Sequence, residues 1–160
     1  MNRILIDADF YAGNRLERFV LENEEELGIK DKVDATMVFY NHQDIYKYLQ
    51  IYLEEVKTCF IKIAQKEELE ILKKMQKLES KAFFLIYTDN RDLKDELLNF
   101  TTSPLWTQMT VASDSDTEVR EMIKKVLLYC FTNELIIVEI SGYPISIDSL
   151  LYIEADKTHR

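Results

Sequence analysis

Apolar residues follow two alternating rhythms along this chain. Short unbroken runs rich in β-branched and aromatic residues, such as TCFIKI and AFFLIY, alternate with longer stretches in which apolar residues recur every three or four positions. Unbroken apolarity fits a strand covered on both faces, and the wider spacing fits a helix laying one face against a sheet. The pattern predicts strands over residues 3–7, 34–40, 58–63, 82–87 and 108–112. Between them lie five helical stripes. They are carried by Leu16, Phe19, Val20 and Leu27; by Ile45, Leu49 and Tyr52; by Leu69, Leu72 and Met75; by Leu93 and Leu97 within 91–100; and by Val119, Met122, Ile123, Val126, Leu127 and Cys130. Ser115 with Glu118 three residues on has the form of a capping box for the last helix.

Strands that alternate with helices of this length imply βαβ units with right-handed crossovers. The expected fold class is therefore α/β, a three-layer (βα)5 arrangement with helices on both faces of a parallel sheet. After Thr132 the rhythm changes, and ELIIVEISGYPISIDSLLYIEAD reads as consecutive strands with Gly142 and Pro144 supplying a turn. Residues 1–132 thus form the main domain, and 133–160 begin a short C-terminal β segment.

Composition narrows the chemistry. Of 160 residues, 47% are hydrophobic, enough for a real core, while 29 acidic against 20 basic residues give a net charge of −9. That charge opposes attraction to a nucleic-acid backbone or an anionic membrane. The run from Glu22 to Glu26 reads as a solvated helix end. Phosphate cradles need glycines at strand-to-helix turns, yet only three glycines occur and Gly13 stands alone. Cys59 and Cys130 lie in apolar runs without metal or redox spacing, the mark of buried free thiols in a reducing cytoplasm. His42, expected to cap or precede the second helix, and the distant His159 make neither a metal site nor a catalytic dyad. Tyr46, Tyr48 and Tyr52 form an amphipathic helix surface. The N-terminus is too short and acidic for a signal peptide, and no apolar span suffices to cross a membrane.

Ligands of an open parallel sheet bind beyond the carboxyl ends of its strands. The positions that matter are therefore Asp7, Ala8 and Asp9 after the first strand, Lys62 and Ala64 after the third, Thr88 and Asp89 after the fourth, and Val111, Ala112 and Ser113 after the fifth. No nucleophile, base and orienting acid fall together among them, so no catalytic residue is assigned and no enzyme is expected.

At these positions the chain resembles the receiver domains of response regulators, of CheY- and flavodoxin-like topology, and in particular the LytTR (AgrA/ComE-like) family of transcription regulators. ILIDADFYAGNRLERFV is similar to the family's first strand, acidic pair and first helix; CFIKIA to its third strand; LIYTD to its fourth; and ISIDSLLYIEADKTHR to the opening strands of a LytTR DNA-binding domain. The resemblance implies that Lys62 stands where the family carries its phosphate-accepting aspartate. Asp7, Asp9 and Thr88 match other receiver-site positions, with Asp7 one place early and directed into the sheet or along its edge. Asp9 alone is a weak candidate for holding Mg²⁺, and Val111 or Ala112 replaces the family's lysine. A lysine cannot form the acyl phosphate, so the resemblance implies a degenerate pseudo-receiver that needs no cofactor. A pairing of Lys62 with Asp9 would neutralise the carboxylate that a metal otherwise neutralises.

The partners so implied are a second copy of the chain in a homodimer and a sensor kinase upstream. DNA would be reached only through a LytTR domain that is incomplete here, and no membrane is involved. Trp106, with Leu105 and Met109, falls on the face through which receivers pair. Two other readings stand beside this one: a phosphorylation-competent receiver using Asp7, Asp9 or Asp89, and a flavodoxin-like ligand-binding enzyme.

Overall fold

The structure, a computed structural model, describes residues 2–101, 109–112, 116–132, 137–140 and 143–146. Five parallel strands, β1 (Arg3–Asp7), β2 (Ala35–Phe39), β3 (Val56–Lys62), β4 (Phe83–Tyr87) and β5 (Met109–Ala112), form one sheet in the order β2-β1-β3-β4-β5. Each is followed by a helix: α1 (Phe10–Glu26), α2 (His42–Tyr52), α3 (Leu69–Gln76), α4 (Arg91–Thr101) and α5 (Asp116–Thr132). This order is that of the CheY-like, three-layer doubly wound fold.

Strand periodicity divides the core in two. Ile4, Ile6, Phe60, Phe83 and Leu85 point to α1 and α5, whereas Leu5, Cys59, Ile61, Phe84 and Ile86 point to α2, α3 and α4. Because both faces are covered, β4 is buried along its whole length. Each such aliphatic or aromatic side chain contributes about 1.5–3 kcal/mol on burial. Both cysteines are free and buried, and burial pushes both thiols up, that of Cys130 to about 12.

Side chains at the strand ends start the first two helices. The Asp9 carboxylate accepts from the Ala12 N–H at 3.0 Å, and the Asn41 side chain accepts from the Gln43 N–H at 2.7 Å. α1 closes on Gly28, whose φ of 68° is the left-handed conformation suited to glycine.

Three expectations are corrected. The acidic run ending α1 is not wholly solvated: Glu24 is buried and accepts from the Thr36 hydroxyl at 2.8 Å, and burial holds its carboxyl above the ordinary value. The C-terminal hairpin pairs β6 (Ile137–Ile140) antiparallel with β7 (Tyr143–Ser146), and Pro144 lies opposite Glu139 within β7, not in a turn. His42 does not cap α2 but is its first residue, after the Asn41 cap. Trp106, Ser113, Ser115, Gly142, His159 and the YIE segment lie outside the described residues.

Candidate functional site

The chain leaves β1 for β2 on one side of the sheet and returns to β3 on the other, which opens a crevice where the order reverses. A cleft of about 490 Å³ occupies that place, with Asp7, Asp9, His42, Lys62 and Glu68 in its walls.

Lys62 ends β3 in register with Tyr87 of β4. Its side chain is only 12% exposed, and its Nζ stands 3.4 Å from Asp9 Oδ2 and 3.4 Å from Asp89 Oδ2. The ion pair with Asp9 that the sequence suggested is thus formed, and Asp89 adds a second arm. The Asp9 carboxyl is held below its ordinary value, first by the Ala12 amide and then, against some burial, by Lys62. With both carboxylates about half exposed, the bridge is worth on the order of 1 kcal/mol.

Thr88 is buried, and its Oγ1 accepts from the Asn90 N–H at 3.0 Å, the work of a turn hydroxyl. The Asn90 side-chain amide in turn donates to the Ala64 carbonyl at 3.3 Å, tying the loop after β4 to the loop after β3. The Tyr87 hydroxyl is buried with no hydrogen-bond partner among the described residues, and burial raises its pKa. β5 ends on Val111 and Ala112, neither of them a lysine. Gly13 shapes no phosphate cradle: a Cβ there would come within 2.9 Å of the Tyr40 ring, so its bareness makes room for that tyrosine.

On the other face of the sheet a second bridge occurs that sequence reasoning missed. Asp7 is 1% exposed and turns toward α2, where His42 Nδ1 bonds its Oδ2; His42 Nε2 bonds Glu68 Oε2. Glu68 Oε1 accepts from the Ala64 and Gln65 N–H groups at 2.8 and 2.7 Å, as the glutamate of a capping box with Gln65. Burial opposes charge on the imidazole, yet the two carboxylates outweigh it and push the His42 pKa up to about 9. The same bonds keep Glu68 below its ordinary value despite burial, while burial leaves Asp7 raised even beside His42. The upward shift of His42 governs the cluster, because it alone joins both carboxylates. The only sequence signal was a histidine just past an edge strand; nothing in the spacing of positions 7, 42 and 68 announces their meeting.

Two cations of the chain, Lys62 and His42, therefore span two carboxylates each, one bridge on either face of the sheet. No set of three His, Cys, Asp or Glu side chains among the described residues is arranged to hold a metal ion. No helix among them is long and apolar enough to cross a membrane. Fold and site together define a CheY-like α/β domain whose strand-end crevice is crossed by internal ion bridges. Comparison with family models, curated proteins and solved structures gave no match.

Proposed function

We propose that the chain is a degenerate receiver module of a LytTR-type transcription regulator, acting by pairing with another copy and not by aspartate phosphorylation. The observation that carries this reading is the Lys62 bridge to Asp9 and Asp89. An ammonium placed at the end of β3 offsets from within one of the two negative charges of the neighbouring carboxylates, part of the electrostatic task of a divalent cation in an acidic strand-end site. A lysine there accepts no phosphoryl group as an acyl phosphate. Control of the module would then lie in its association with other copies, with DNA contacted only through the LytTR portion.

The test is a titration of the full chain with Mg²⁺ and beryllofluoride, followed through the fluorescence of Trp106, the single tryptophan, with light scattering on the same samples. An unchanged spectrum and the mass of a dimer both before and after addition are expected. A saturable change accompanied by dimerisation would overturn the reading in favour of a phosphorylation-competent receiver.

A further inference from the structure

Residues 63–65 run between the two bridges and are fastened from both sides. Lys62 immediately before them holds Asp9 and Asp89, and the Asn90 amide donates to the Ala64 carbonyl. From the opposite side the Glu68 carboxylate takes the Ala64 and Gln65 N–H groups, and its other oxygen takes His42, which is bonded in turn to Asp7. Glu68 alone would be an ordinary helix cap. What sets it apart is that its second oxygen leads through one imidazole to a buried carboxylate at the end of a different strand.

We propose that His42 is a latch that fixes the loop after Lys62. By joining Asp7 of β1 to Glu68 at the entry to α3, it locks three elements, the end of β1, the first turn of α2 and the β3–α3 loop, into one arrangement without any bound ion. Both ring nitrogens are engaged, so the imidazole cannot swing toward one carboxylate without releasing the other. Asp7 is nearly inaccessible, so breaking the link leaves a buried carboxylate without its cation, and that cost keeps the latch closed. The meaning of the latch for regulation rests on the reading above, since a module with one fixed loop conformation has no use for a phosphorylation-driven loop change. Its geometry does not depend on that reading.

The test is backbone amide hydrogen exchange by NMR on the full chain, wild type against His42→Gln, without Mg²⁺ or beryllofluoride. The Ala64 and Gln65 amides are expected to exchange about tenfold faster in the variant through local opening, with a free energy of opening that stays below that of the β1 and β4 amides, whose exchange follows the variant's global stability. Unchanged exchange at Ala64 and Gln65 would overturn the latch and leave Glu68 as a cap for its own helix only. Should His42→Gln fail to fold, the same readout is taken in Glu68→Gln, which keeps an acceptor for the loop amides but removes the charge facing His42. There the Asp44 and Ile45 amides, bonded to the Asn41 carbonyl in the first turn of α2, are expected to exchange about tenfold faster, and no change would again overturn the latch. A wild-type chain that responds to beryllofluoride would defeat the proposed function while leaving these exchange results intact, so the two failures are distinguishable.

Discussion

Lys62 at the end of β3 and Asp89 just past β4 face each other at 3.4 Å, with Asp9 at the same distance on the other side of the ammonium. Reversing the central charge tests what that ammonium replaces. Lys62→Asp would set three carboxylates around one point, a cluster that repels itself and offers the several hard oxygen ligands a divalent cation requires. The variant is expected to be less stable than the wild type without added metal and to recover stability in millimolar Mg²⁺, through saturable binding seen by calorimetry. The wild type is expected to give no such heat. Equal Mg²⁺ responses in the two chains would mean that Lys62 does not stand in for a cation.

His42 makes the fold sensitive to alkaline pH. Its folded pKa of about 9 lies above the ordinary 6.5, so the stability it supplies is fully present below pH 6.5 and is lost as pH rises through 9. The charged groups acting on it are Asp7 and Glu68; Asp44 acts on the Asp7 carboxyl, and Asp9, Lys62, Glu67, Glu70 and Lys74 line the same cleft. A shift of that size corresponds to about 3 kcal/mol before the opposing cost of burying Asp7 is counted. Urea unfolding of the wild type between pH 6 and 10, compared with His42→Gln, is expected to show a difference on the order of 2 kcal/mol at the acid end that shrinks to near zero at the alkaline end. A constant difference across that range would show that the imidazole contributes packing and not charge.

The layers of the fold were legible because the sheet is buried on both sides: CFIKI and AFFLIY have no amphipathic strand alternation to misread, and the helices between them keep a single apolar stripe. Strand limits shifted by one or two residues, as with β3, which begins at Val56. Lys62 and Asp9 were legible as site residues because strand ends converge by topology alone. His42 and Glu24 were not. Each is a polar group whose partners lie on other elements, and periodicity reports which face a residue takes, not which distant side chain waits there. In the run from Glu22 to Glu26, Glu24 is set apart only by the packing of the end of α1 against β2, which periodicity does not report.

That contact can be tested at Thr36, whose hydroxyl donates to Glu24 at 2.8 Å. Thr36→Val keeps the shape and removes the donor, leaving a buried carboxylate short of a partner, at a cost of about 1–3 kcal/mol. Thr36→Ser restores the hydroxyl and is expected to recover most of the loss. Thermal unfolding of the three chains decides the matter. Equal midpoints for the valine variant and the wild type would mean that Glu24 finds another donor, Lys30 being the nearest candidate by its field on that carboxyl.

The mechanical centre of the sheet is Phe60, fully buried on β3 and paired in register with Ile6 on one side and Leu85 on the other. Its ring fills the space between the sheet and the helices α1 and α5, on the same face as Lys62 two residues later. Phe60→Ala is expected to cost about 3–5 kcal/mol, a large share of the stability of a domain this size, because the surrounding strands are held on both edges and cannot close over the void. Phe60→Leu retains most of the volume and is expected to cost less than about 1.5 kcal/mol. Since the cavity lies beneath the Lys62 bridge, the alanine variant is also expected to loosen the strand end. Hydrogen exchange at the Lys62 and Ile63 amides, the latter bonded to the Tyr87 carbonyl at 2.9 Å, would rise more than exchange at β2. A uniform rise across all strands would indicate global destabilisation with no special link between the core and the site.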